Sequence, residues 1–129
     1  MIVDGSAVIA ILLQEPGYEP LLDRVTAPGS VAIGAPTLAE TGLVLTARLG
    51  IPGQTLLARF VSESRMAVLP FTDEHWPVAI DAFRRFGKGR HPAALNVGDC
   101  LTYAVARLAG EALLCAGQDF PKTDLPLAI

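Results

Sequence analysis

The 129-residue chain is short of cysteine. It has two, Cys100 and Cys115, with neither a CxxC pair nor a metal-binding spacing. That excludes a disulfide framework and a zinc-ribbon module, and it suits two reduced thiols in a cytoplasmic protein. Charge is also scarce. Asp, Glu, Lys and Arg make up 18% of residues against 51% hydrophobic, a lean ratio that suggests another chain covers part of the surface. A basic excess is missing as well: the net charge is -3, so the chain as a whole lacks the footprint of a nucleic-acid binder. The start has no basic region, and Asp4 interrupts it, so no signal peptide is expected. The longest aliphatic run, Ala7 to Leu13, is far too short to span a bilayer. There is no internal repeat, low-complexity tract or long linker, so residues 1–129 are expected to form a single domain.

What is present alternates. "MIV", "SVAIGA", "MAVLPF" and "ALLCA" read as short buried strands. Between them lie helical stretches at 6–14, 18–26, 37–49, 54–65, 73–86 and 98–109. Thr37-Leu38-Ala39-Glu40 has the form of a capping box, and Gly50 stands where a helix C-terminus places a glycine. "DLPLAI" offers an edge strand, because Pro126 cannot serve a central one. All-apolar strands separated by helices predict an α/β/α sandwich around a short, mainly parallel sheet of four or five strands. In such folds sites form at the carboxyl ends of the strands.

Four acids lie in otherwise apolar or small-residue surroundings near those ends: Asp4, Glu40, Asp99 and Asp119. Each has a local role open to it. Asp4 could cap the helix that begins near Ser6, Glu40 could complete the capping box with Thr37, Asp99 could favour a helix dipole, and Asp119 could form a turn before Pro121. Gathered at one sheet edge, however, four carboxylates would repel one another. Only Lys122, near Asp119, neighbours any of them in sequence. A hard divalent cation with oxygen ligands, Mg²⁺ or Mn²⁺, is the usual remedy. Positive charge is concentrated elsewhere, in "FRRFGKGRH", where Arg84, Arg85, Lys88 and Arg90 are candidates for phosphate contacts. Its alternative reading is a solvated helix end. Trp76, Phe83 and Phe86 follow helical spacing and read as packing residues, and His75 and His91 as surface or loop residues.

"MIVDGSAVIAILLQEP", "APTLAETGLVL", "LNVGDCLTYAVA" and "LLCAGQDFPKTDL" resemble, in order and spacing, the PIN-domain ribonucleases, and among them the VapC-type toxins of bacterial toxin–antitoxin pairs. The resemblance runs nearly end to end. It implies the PIN fold and an endoribonuclease that hydrolyses RNA phosphodiesters with a metal-activated water, leaving 5′-phosphate and 3′-hydroxyl ends. It matches Asp4, Glu40 and Asp99 to the family's acidic triad, Asp119 to its more variable fourth acid, and Ser6 to a hydroxyl that supports the first Asp. It further implies Mg²⁺ or Mn²⁺, a homodimer, and a VapB-like antitoxin that covers an apolar groove and inserts a basic side chain near the acids. Two positions depart from the pattern: Gly5, where the family has a threonine, and Gln118, where a further acid sometimes stands. Gly5 motivates a second reading, a weakened PIN-like module that acts through partner binding. A phosphoacceptor receiver domain fits less well, because Asp4 is followed by Gly-Ser rather than a second acid.

Overall fold

Two-residue strands suffice where a parallel sheet is covered on both faces. The computed structural model describes residues 1–129, and its sheet has four strands: β1 (Ile2–Val3), β2 (Ala32–Gly34), β3 (Ala67–Leu69) and β4 (Leu113–Leu114). All pairings are parallel, in the order β3-β2-β1-β4, with Ile2 opposite Ala32 on one side and Leu113 on the other. Alternate side chains point to opposite faces. Ile2 and Leu113 enter one core with Ala82, Tyr103 and Leu125, while Val3, Ile33 and Leu114 enter a second with Val8, Ile11 and Leu57. Helices α1 (Gly5–Leu12), α2 (Tyr18–Thr26) and α4 (Ile51–Glu63) supply the second core. Helices α5 (His75–Phe86) and α6 (Val97–Ala109) supply the first. Helix α3 (Ala35–Leu49) leads out of β2 and buries Leu45 in the second core. The α/β/α sandwich is therefore as expected. No helix is long and apolar enough to cross a membrane.

Three local expectations are revised. Helices α3 and α4 begin earlier than expected because Pro36 and Pro52 lie within their first turns, where the missing N–H is not needed. Thr37 is consequently inside α3, and the Thr37–Glu40 capping box does not form; Gly34 is the N-cap and gives no side-chain bond. Gly50 ends α3 and starts α4 with φ +71, a backbone that favours glycine. "DLPLAI" contributes a single bridge residue, Leu127, parallel to Leu113 at the outer edge of β4. Finally, Trp76 and Phe83 are not packing residues: they are 54% and 42% exposed and line an apolar depression with Phe71, Ile80 and Val97. Phe86 alone is packed, against Tyr103 and His91.

Candidate active site

Asp4 leaves β1 and caps α1 in the same step. Its Oδ2 accepts from the Ser6 N–H at 3.1 Å and from the Ser6 hydroxyl at 2.6 Å. Its Oδ1 accepts from the Thr102 hydroxyl of α6 at 2.9 Å. Ser6 is fixed in turn, since its Oγ accepts from the Ala116 N–H at 3.0 Å just past β4. The local role considered for Asp4 is thus real, and it also orients the carboxylate.

Asp99 likewise does two things. The capping box in this chain belongs to α6: Asn96 Oδ1 accepts from the Asp99 N–H at 2.9 Å, and Asp99 Oδ2 accepts from the Asn96 N–H at 3.0 Å. Glu40, one turn into α3, makes no hydrogen bond to any side chain and lies against the first turn of α6. A Cβ built on Gly98 would stand 2.6 Å from Glu40 Oε1. The glycine of "LNVGDC" is therefore the space in which the Glu40 carboxylate rests.

Asp4, Gly5, Ser6, Glu40, Thr41 and Asp99 line one cleft at the carboxyl edge of the sheet. Asp119 is exposed at the start of a 3₁₀ turn (Phe120–Lys122), makes no side-chain bond, and is near enough to act on Asp99 by its charge. None of the four forms an ion pair within the chain; the acids that do are Glu63, Asp81, Glu111 and Asp124. Burial pushes the Asp99 carboxyl up to about 6. The Asn96 N–H opposes this, and the charges of Asp4, Asp119 and Glu40 add to it. Burial, and after it the charges of Asp4, Asp119 and Asp99, raise the thiol of Cys115 to about 11, which leaves this cysteine unreactive.

The donor chemistry fits a hard divalent cation: all oxygen, negatively charged and lacking an internal counter-charge. The spacing is that of an open cleft, since no three acidic, histidine or cysteine side chains are placed to hold one metal ion together. Mg²⁺ does not require one, because it commonly keeps several waters and takes one or two carboxylates.

Gly5 has an ordinary backbone and is buried by close approach of α1 to α3. A Cβ there would stand 2.5 Å from Thr41 Oγ1, which is itself bonded to the Thr37 carbonyl at 2.7 Å. Gly5 is thus needed for packing.

The four cations of the basic stretch divide. Arg84 pairs with Asp81 at 2.5 Å, and Arg85 pairs with Asp124 at 2.8 Å. Arg90 lies over the Phe83 ring, and Lys88 forms no ion pair. The loop is closed at its base by Lys88 N–H to Leu95 O at 2.9 Å, directly before the Asn96 cap that carries Asp99. His75 and His91 accept backbone N–H groups in turns and do not line the cleft.

Two helpers of the site were not anticipated, Thr102 and Thr37. The available signal was spacing: Thr102 follows Asp99 by one helical turn, as the only side-chain hydroxyl before Tyr103 in an otherwise apolar stretch.

Residues 1–125 match the PIN domain. The chain belongs to the PIN-domain family. This PIN domain is 48% identical over 126 residues to the VapC ribonuclease Mb2004c of Mycobacterium bovis, covering 97% of this chain and 91% of that one. Among solved structures it is similar to Mycobacterium tuberculosis VapC20, described as a Sarcin-Ricin loop cleaving toxin, with a TM-score of 0.77 at 20% identity over 96% of this chain and 95% of that one. It is also similar to VapBC2 of Rickettsia felis bound to a DNA fragment from its promoter, at TM-score 0.77 and 15% identity over 98% and 94% of the two chains. At those identities the two structures speak for the fold.

Proposed function

We propose that this PIN domain is a Mg²⁺- or Mn²⁺-dependent endoribonuclease and the toxin of a type II toxin–antitoxin pair, working in the cytoplasm. The observation that carries the reading is the cleft of carboxylates without an internal counter-charge, in which Asp99 is pushed up to about 6. The ribonuclease name of a relative at 48% identity supports the substrate class, and a VapBC complex among the structural neighbours supports a VapB-like antitoxin partner. The lean charge and the exposed Trp76, Ile80 and Phe83 suit a covered surface, in a homodimer or in a complex with the antitoxin.

Asp4, Glu40 and Asp99 would hold the cation between them, some of them through its waters, with Asp119 at the rim. When bound, such an ion polarises a phosphoryl oxygen and makes water a nucleophile at neutral pH. Ser6 keeps Asp4 facing the cleft. Gly98 leaves room for Glu40, and Asn96 fixes the rotamer of Asp99. Lys88 and Arg90 supply positive charge for RNA phosphates on the loop tied to the start of α6, whereas Arg84 and Arg85 are engaged within the chain. The weakened-module reading rested on Gly5; its close contact with Thr41 gives that glycine a packing reason and leaves the acids untouched.

The test is cleavage of a defined RNA by purified protein with Mg²⁺ or Mn²⁺, with chelator, and with Asp99→Asn. Metal-dependent products ending in 5′-phosphate, absent with chelator and with the variant, are expected. Cleavage that survives chelation would overturn the reading.

A further inference from the structure

We infer that Thr102, braced by Thr37, is a positioning residue for Asp4, setting which lone pair of that carboxylate is left for a cation. The inference rests on the metal-dependent reading above and extends it to side chains outside the acidic set. Three hydroxyl-bearing residues from three elements meet Asp4 directly or through one another. Thr102 is 2% exposed, Thr37 4% and Asp4 7%, so water does not compete for these bonds.

The direction of each proton follows from inventory. A carboxylate offers only lone pairs, so Thr102 must donate its single hydroxyl proton to Asp4 Oδ1, at 2.9 Å. Thr102 Oγ1 is 2.8 Å from Thr37 Oγ1. Having spent its proton, Thr102 must accept there, so Thr37 donates. The chain of protons therefore runs from α3 through α6 to Asp4. On the other oxygen, Oδ2 already accepts twice from Ser6. A carboxylate has about four lone-pair sites. With three taken, the vacant one is on Oδ1, beside the Thr102 bond. Asp4 is thereby built to give one more bond, from one oxygen, in one direction.

A purely structural role is the weaker account of these hydroxyls. Valine at 37 and 102 would fill nearly the same volume in a buried α3–α6 contact, and replacing both hydroxyls leaves neither one orphaned. The only group that would then lack a partner is Asp4 Oδ1. No buried side-chain polar atom of the chain is unpaired, so the threonine pair is kept where Asp4 needs a donor.

The experiment compares the full chain with Thr102→Val, Thr37→Val/Thr102→Val and Thr102→Ser. Three quantities are read: melting temperature in chelator, Mn²⁺ affinity by calorimetry without RNA, and RNA cleavage with kcat and KM separated. Loss of a partner just outside the coordinating groups typically weakens metal binding by about ten- to a hundredfold. The double variant is expected to fold but to melt below the parent, because Asp4 Oδ1 loses its donor, and to bind Mn²⁺ about tenfold more weakly, with kcat reduced and KM for RNA little changed. Thr102→Ser is expected to recover most of the affinity, because it restores the donor. Parent-like Mn²⁺ affinity in both valine variants would overturn the assignment while leaving the metal-dependent reading intact. A parent chain that binds no Mn²⁺ would overturn both. If Thr102→Val alone does not fold, the double variant, which strands no hydroxyl, carries the decision.

Discussion

Asp99 and Asp124 carry the same side chain, and their surroundings push them in opposite directions. Asp124 receives the Tyr103 hydroxyl at 2.7 Å, Arg85 at 2.8 Å and Arg107 at 2.5 Å. Against the upward pull of partial burial, these donors hold its carboxyl below the usual range. Asp99 meets one backbone N–H and three further acids, and its carboxyl rises to about 6. The Asp124 cluster is electrostatically complete and ties the C-terminal segment to α5 and α6. The acids of the Asp99 cleft have no ion-pair partner within the chain. One carboxylate is matched by cations and the other is set among like charges, within one small chain.

The sharpest way to break that comparison is to remove one charge from each region. Asp99→Asn keeps the acceptor for the Asn96 N–H, so the cap survives. Cleavage of RNA should nevertheless fall by about a hundredfold or more, since several kcal/mol of charge stabilisation at the reacting phosphate is lost. Steady-state cleavage rates decide it, and a variant within about threefold of the parent would remove Asp99 from the site.

Packing beneath the cleft gives the next largest effect. Gly5→Ala should destabilise by about 1–3 kcal/mol through overpacking against Thr41. Adding Thr41→Ala should recover part of that loss, whereas Thr41→Ser, which keeps the hydroxyl, should not. Denaturant melts of the parent, Gly5→Ala, each Thr41 variant alone and the two double variants measure the coupling; strict additivity would deny the contact.

The pH dependence of stability distinguishes the two aspartates in one measurement. In the folded chain Asp99 keeps its proton to about 6, against 3.8 for the ordinary group. The folded state therefore binds more protons across that interval, and stability falls as pH rises from about 4 to about 6. Asp124 works in reverse: its contribution is present above 3.8 and is lost as pH drops below that value. In metal-free buffer Asp99→Asn should remove the first slope and raise the melting temperature at pH 7. Asp124→Asn should remove the second and cost about 1 kcal/mol at pH 7, a figure already reduced for its solvent exposure. Mn²⁺ should raise the parent's melting temperature more at pH 8 than at pH 5, where the proton competes for Asp99. Equal shifts at both would contradict a shared site.

The smallest effects belong to the basic stretch. Lys88→Ala should raise KM for RNA a few-fold, with a shallower salt dependence. Arg85→Ala, by contrast, should act on melting temperature, because Arg85 belongs to the complete cluster. A larger KM effect from Arg85 than from Lys88 would reverse this division.

The sandwich was legible because the strand segments are apolar on both faces and each is followed by a helix. Asp4 and Asp99 were legible as acids at those junctions. What escaped was held in contacts across long separations. The Thr37–Glu40 spacing imitated a capping box, but Pro36 moved the helix start and left Thr37 buried beside Thr102. Asn96–Asp99 is the working box, with residue types that fit the pattern less well. Arg85 looked free for RNA because its partner Asp124 is far along the chain, whereas the partner of Arg84, Asp81, lies one helical turn back, just outside the basic stretch. Gly5 looked like a lost hydroxyl because the Thr41 side chain above it belongs to another helix.

The order of strands has a consequence for synthesis. Strand β1 sits between β2 and β4, and the Asp4 N–H donates to Leu114 O at 2.9 Å. The strand that seats Asp4, and Asp119 beyond it, are made long after Asp4 itself. Until β4 has emerged, the first acid has no seat, so the cleft closes only when two distant stretches of the chain are both available.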